Sequence, residues 1–290
     1  MNYWIFILLL IAMLSVSTAP IIGKLLVNID PIAISFWRMF IGATALWLYS
    51  GFYYQKSIKR KNIPKTIISG IFLGVHFFLF FYAVKMTKIS NATFLGTLAP
   101  IFTLIIEVLI LRRRINKLIF LGLAISLLGS LIIIISDFNF SSDYTMGNFA
   151  ALLCSMCLAV SFIISENIRN DENTISYTRS LYFFASLTLF IISIIYQVPL
   201  IGYNQYEILG LLTLGLIPTI LGHNILYYTM KFISPTIVAT FPMGEPLIAS
   251  IMGFIIFGES INISTLIGGS IIISGLFSLS IIQYNYEKSQ

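Results

Sequence analysis

Glu245 is the residue whose position most needs a chemical explanation. It lies ten residues into an apolar run that begins at Pro235, between Gly244 and Pro246. At 1.5 Å per residue that depth is about 15 Å, near the middle of a bilayer. A carboxylate there is costly, which makes it a functional candidate by default. It could bind a substrate ammonium or a coupling proton; the plainer reading is a structural Glu held between helices. Pro246 removes a backbone donor and crowds the preceding turn, so carbonyls nearby are free to face a polar cavity.

His76 and His223 are the only histidines, and both fall inside apolar runs. An imidazole titrates in the physiological range, so either could relay a proton; the alternative is a neutral ring bonded across helices. His223 is followed by Asn224 and, one helical turn on, by Tyr227. Tyr82 belongs to a comparable aromatic stretch after His76. Tyrosines in such stretches give an organic-substrate pocket its polar handles. Arg38, seven residues into another apolar run, could meet a substrate carboxylate, but it is close enough to a helix end to snorkel, which favours a structural role. The candidate substrate-binding set is therefore Glu245, His223, Tyr227, His76, Asn224, Tyr82 and Arg38.

Other residues read as support. Glu107 lies one turn from Arg112-Arg113-Arg114 and is expected in an interfacial ion pair, as are Glu166 and Arg179 near their helix ends. Cys154 and Cys157 suit neither a disulfide framework nor a zinc site and read as packed small residues. No nucleotide-binding loop, zinc-protease or hydrolase motif occurs, so ATP drive, a metal and a cofactor are not expected.

The elements that must carry these residues follow from composition. Of 290 residues, 58% are hydrophobic and 10% charged, with a mean hydropathy of +0.95. So few charges cannot cover a soluble surface, which leaves a polytopic membrane protein. Apolar runs such as Leu118–Ile135 are continuous, which favours helices over a barrel. Ten spans are predicted: Tyr3–Leu26, Pro31–Tyr54, Lys65–Met86, Ser90–Leu111, Lys117–Ser136, Met146–Asn167, Ile175–Tyr196, Glu207–Met230, Pro235–Phe257 and Asn262–Ile282. The first run lacks a basic leader and reads as a retained span.

Counting Lys and Arg in the connectors gives twelve on one side and three, Lys24, Lys85 and Lys88, on the other. The positive-inside rule then puts both termini in the cytoplasm of a cell (inner) membrane. The net charge of +6 belongs to these helix ends, so nucleic acid is not an expected partner. An internal repeat is visible at a constant offset of 146: Tyr82 matches Tyr228, Lys85 matches Lys231, Pro100 matches Pro246, and Gly122 and Gly129 match Gly268 and Gly275. Two five-helix units, 1–145 and 146–290, follow. Five is odd, so the second unit is inverted, and the basic Arg113 is accordingly matched by Glu259. Inverted repeats place a substrate site near the midplane between them.

Three stretches carry a family resemblance. They are Pro31…Arg38, Glu245-Pro246 followed by Phe257-Gly258-Glu259, and Gly268…Gly275. The chain resembles the drug/metabolite transporter superfamily in its ten-helix EamA branch, with Arg113 standing where that family's first repeat often has Glu. The resemblance implies an alternating-access secondary transporter of small polar or amphipathic organic metabolites, amino acids or related compounds, working as an exporter. An uptake or exchange carrier for a larger metabolite, an intramembrane enzyme and a non-transporting scaffold are the alternatives. The partners expected are a small-molecule substrate, the lipid bilayer and a coupling proton, with a homodimer left open.

Overall fold

A computed structural model describes residues 3–135, 142–257, 261 and 263–288. Among the described residues the regular structure is helical. In hydrocarbon every backbone group must bond within its own segment, which a helix achieves. The helices are α1 (Tyr3–Val16), α2 (Ala19–Leu25), α3 (Pro31–Phe52), α4 (Ile63–Met86), α5 (Ile89–Gly96), α6 (Ala99–Ile105) and α7 (Lys117–Ile134). They continue as α8 (Thr145–Arg169), α9 (Thr174–Ile195), α10 (Gln205–Leu216), α11 (Asn224–Thr229), α12 (Pro235–Thr240), α13 (Glu245–Phe257) and α14 (Ile263–Lys288).

Local chemistry sets the starts. The Asp30 carboxylate accepts from Ile32 N at 2.8 Å with Pro31 in the first turn, a favoured arrangement at a helix N-terminus. Asn116 and Asn173 cap α7 and α9 in the same way. Asn204 and Glu207 exchange bonds in a capping box at α10.

Eight stretches are long and apolar enough to cross a membrane: Tyr3–Leu25, Pro31–Phe52, Arg60–Met86, Ile89–Ile110, Lys117–Ile134, Thr145–Arg169, Thr174–Ile195 and Gln205–Thr229. They match the first eight predicted spans within a few residues. Exposed Leu14, Trp47, Leu128, Phe149, Ile191 and Leu212 line their outer faces. A surface of that kind faces lipid, and the chain is a multi-pass membrane protein. The two remaining predicted spans correspond to α12 with α13 and to α14, whose described apolar part is Ile263–Leu279. Glu259 lies outside the described residues, and so does its pairing in register with Arg113.

The expected unbroken spans differ from the structure where proline enters. The first breaks at Ser17-Thr18 before Pro20, and the fourth at Thr97-Leu98 before Pro100. The eighth holds a π-helical stretch, Ile217–His223, containing Pro218; a 3₁₀ turn, Phe241–Gly244, with Pro242 joins α12 to α13. Each proline removes a donor and clashes with the turn before it, so the helix restarts or widens.

Small residues let the helices meet closely. Gly70 and Gly74 of α4 lie against the backbone of α9, and Gly222 lies against Val16 of α1. The α7–α14 contact runs through Gly129 and Gly268. The interrupted segments converge on the interior, and the broken turns surround one buried polar region.

Candidate functional site

A cavity of about 40 Å³ occupies that region. It is bordered by Arg38 of α3, His76 and Phe77 of α4, Thr97 in the α5–α6 break, His223 at the end of the π-helical stretch, and Glu245 opening α13. The volume holds a few water molecules. Arg38 and Glu245 are 1% and 5% exposed, so both side chains lie in the interior.

Each ionisable group has a specific setting. The Arg38 guanidinium lies 4.1 Å from the centroid of Phe77, and its Nε donates to Thr219 Oγ1 at 3.1 Å. Thr219 spends its own proton on Leu214 O at 2.9 Å, so its hydroxyl oxygen is left to accept. His76 Nδ1 lies 3.0 Å from the carbonyl oxygen of Cys154 and 3.1 Å from its Sγ. A carbonyl can only accept, so Nδ1 carries the proton and Nε2 is the free lone pair. The two imidazole rings are 6.1 Å apart.

Three buried atoms bordering this cavity have no hydrogen-bond partner among the described residues: Arg38 Nη2, His223 Nδ1 and Glu245 Oε1. Each is destabilising by about 1–3 kcal/mol while unbonded, more where charged. The site presents a guanidinium donor, a carboxyl oxygen and an imidazole nitrogen, all available to a bound molecule.

Four of the seven residues singled out in the sequence, Arg38, His76, His223 and Glu245, come together here. Tyr227, Asn224 and Tyr82 do not border the cavity. Tyr227 shares a face with His223 but lies a turn, about 6 Å, further along. There it is fully buried, edge-on to Phe162, Tyr177 and Tyr182, with its hydroxyl 3.3 Å from Ser161 Oγ. Ser69, Ser161, Ser165 and Tyr177 extend this into a hydroxyl cluster joining α4, α8 and α9. Asn224 Oδ1 accepts from Thr178 at 2.7 Å, and Tyr82 packs on Phe78.

Two expectations are corrected. Arg38 does not snorkel: Phe77 and Thr219 hold it inward, replacing water with a cation–π contact and a hydrogen bond. Arg179 forms no ion pair among the described residues; its guanidinium lies 4.3 Å from the Trp47 ring centroid, and Nη2 donates to Lys56 O at 3.1 Å. The expected pairs of Glu107 and Glu166 do form. Arg113 reaches Glu107 at 2.9 Å and Glu166 at 2.7 Å, and Thr236 donates to Glu107. Hydrogen bonding to Glu166 is the foremost cause raising the Arg113 pKa above its ordinary value, against burial, so the cluster keeps its cation. A second cavity, about 320 Å³, opens beside it at the base-rich end.

The sequence matches the EamA-like transporter family over residues 3–135 and 145–281. The chain belongs to that family. This bears out the resemblance to the drug/metabolite transporter superfamily carried by Pro31…Arg38 and Glu245-Pro246. The EamA-like chain is 26% identical over 253 residues to an uncharacterized transporter of Archaeoglobus fulgidus, covering 86% of this chain and 88% of the relative. It is 24% identical over 247 residues to the pseudopaline exporter CntI of Pseudomonas aeruginosa, covering 85% of each. A crystal structure at 16% identity superposes with a TM-score of 0.82 over 99% of this chain and all of the other, a likeness of fold. The family and the two named relatives, from Archaeoglobus fulgidus and Pseudomonas aeruginosa, are transporters.

Proposed function

We propose that this protein is a secondary transporter that exports small zwitterionic metabolites, amino acids or related compounds, by alternating access. The observation that carries the reading is the trio of unpartnered atoms. Arg38 Nη2 suits a substrate carboxylate and Glu245 Oε1 suits an ammonium. His223 Nδ1 is left for a further polar group or a coupling proton. A zwitterion satisfies both charges at once, which neither a plain amine nor a plain acid does. The direction draws support from the relative named an exporter.

The moving parts in this reading are two inverted five-helix halves, 1–145 and 146–290, making ten spans with both termini in the cytoplasm of the inner membrane. The packing supports a two-fold relation. The close pair Gly129 and Gly268 becomes Gly275 and Gly122 when each number is shifted by the repeat offset, and these too are in contact, at 3.0 Å from an added Cβ on Gly275 to Gly122 O. In this reading the cavity, at about 40 Å³, must widen to admit a metabolite.

The experiment is flux into proteoliposomes with a radiolabelled panel of amino acids, their decarboxylated amines and their deaminated acids. Saturable flux of zwitterions above both truncated classes is the expected result. Equal flux of the amines would remove Arg38 from recognition, and equal flux of the acids would remove Glu245.

A further inference from the structure

The central cavity and the larger base-rich one are separated by about two turns along the α6 segment, from Ala99 to Glu107, and by the stretch from Ala239 back to Ser234 on the facing α12. Ala99 of α6 and Ala239 of α12 border the central cavity. Thr103 lies four residues beyond Ala99, and Glu107 four beyond that, so a strip of one face leads outward. Thr236 lies three residues before Ala239 on the opposing helix. Thr236 Oγ1 is 3.1 Å from Thr103 Oγ1 and donates to Glu107. Glu107, 1% exposed, borders the outer cavity.

We propose that this seam between α6 and α12 is the route from the base-rich cavity to the central one, and that Arg113 shuts it by bonding Glu107 and Glu166 together. The proposal rests on the transporter reading above. A charged solute crossing a membrane interior needs polar partners along its path. The seam supplies two hydroxyls, Thr103 and Thr236, and the Glu107 carboxylate. The outer cavity, at about 320 Å³, lies within the range of about 300–1,000 Å³ that small-molecule sites occupy.

The charges explain how opening is coupled to a zwitterion. Arg113 pairs with two carboxylates, Glu107 before α7 and Glu166 on α8, while Thr236 ties Glu107 to α12. Three segments are thus pinned at one point. A substrate ammonium competes with Arg113 for Glu107. Arg114 and Lys231 line the same cavity and offer its carboxylate a cationic partner. The arriving substrate replaces the contact that closed the path, so its differential binding favours the open form. Substrate that has passed inward gives Glu107 back to Arg113.

Two arms test this. First, Thr103→Cys with Thr236→Cys places two thiols across the seam. Oxidation should form an inter-helix disulfide and cut flux about tenfold or more, with recovery on reduction; an oxidised, cross-linked protein that transports at the reduced rate overturns the route. The second arm needs no substrate. Ala99→Cys is labelled with a membrane-impermeant thiol reagent from the side of residue 113, against the same background without that cysteine. Adding Arg113→Ala should raise the labelling rate about tenfold. Thr236→Val, which keeps every charge, should raise it less but measurably, and covers the case in which Arg113→Ala fails to fold. Unchanged labelling in the folded variants overturns the gate whether or not the transported substrate has been identified; failure of flux with altered labelling counts against the substrate reading alone.

Discussion

Gly129 and Gly268 meet across α7 and α14 so closely that a Cβ on Gly129 would stand 2.6 Å from Gly268 O, and one on Gly268 would stand 2.5 Å from Gly129 O. Each residue is the other's limit, and the obstacle on both sides is backbone, which cannot swing aside. Gly51, in α3, has nothing among the described residues within 4 Å of an added Cβ. Ala should therefore act oppositely at the two kinds of site. Gly129→Ala or Gly268→Ala should destabilise by about 1–3 kcal/mol through overpacking. Gly51→Ala should be neutral or stabilising by up to about 1 kcal/mol, because Gly is the weaker helix former. Thermal unfolding in detergent measures all three; equal midpoints would mean that α7 and α14 do not meet through these glycines.

Arg38→Lys should behave as a loss, not a conservative change. The guanidinium holds Phe77 with its face, Thr219 with Nε, and still has Nη2 to offer. An ammonium is a compact point charge without that planar fork. Affinity for zwitterions should fall by about tenfold or more, since hydrogen bonds to charged groups contribute about 1.5–3 kcal/mol. Affinity for the corresponding amines should change little. Competition binding on purified protein reads the split, and an equal fall for both classes would make Arg38 a structural residue.

How far such a site can be read beforehand depends on the residue. Glu245, His76 and His223 are legible because titratable groups are rare in apolar runs, and the cost of burying them requires a reason. Arg38 is ambiguous in depth: the same position permits a snorkelling side chain or an inward one, and only Phe77 and Thr219, from two other segments, decide it. The hydroxyl cluster around Tyr227 leaves no trace in composition. Ser50 and Ser180 bond back to their own helices, whereas Ser69 bonds across to Ser161, and nothing local distinguishes them. The helices themselves are legible from hydropathy. Their breaks at Thr97-Leu98 and around Pro218 depend on how neighbours absorb a proline.

The placement of Tyr227 behind the cavity separates it from His223 experimentally. Tyr227→Phe removes one hydroxyl, 3.3 Å from Ser161, and keeps the ring among Phe162, Tyr177 and Tyr182. It should cost about 0.5–1.5 kcal/mol of stability with substrate affinity unchanged. His223→Ala removes a group that borders the cavity and should weaken binding. Binding isotherms paired with unfolding midpoints decide it; the reverse pattern would move the pocket toward the hydroxyl cluster.

Topology is testable at exposed connectors. Ser57 lies in the base-rich connector before α4, and Asn28 lies in the connector between α2 and α3. Cysteines placed there should label from opposite sides of the membrane, Ser57→Cys from the cytoplasm. Labelling of both from one side would remove the span between them.

Glu245 carries the sharpest prediction. Its Oε1 is buried without a partner among the described residues, and Arg38 and His223 border the same cavity. Glu245→Gln preserves shape and most hydrogen bonding but can neither titrate nor attract an ammonium. If Glu245 couples protons, the Gln variant should lose gradient-driven accumulation and keep substrate-for-substrate exchange, because exchange needs no net proton movement. If it binds the substrate ammonium, accumulation and exchange should fall together by about tenfold or more, the scale of one charge-assisted bond. The loss should then be greater for zwitterions than for acids lacking the amine. A structural Glu would leave both activities intact in the Gln variant while a bulkier charge reversal, Glu245→Lys, disrupts folding. Proteoliposome accumulation and counterflow, measured on the same preparation of well-inserted Glu245→Gln protein, distinguish the three. Wild-type rates in both assays would take Glu245 out of the transport chemistry altogether.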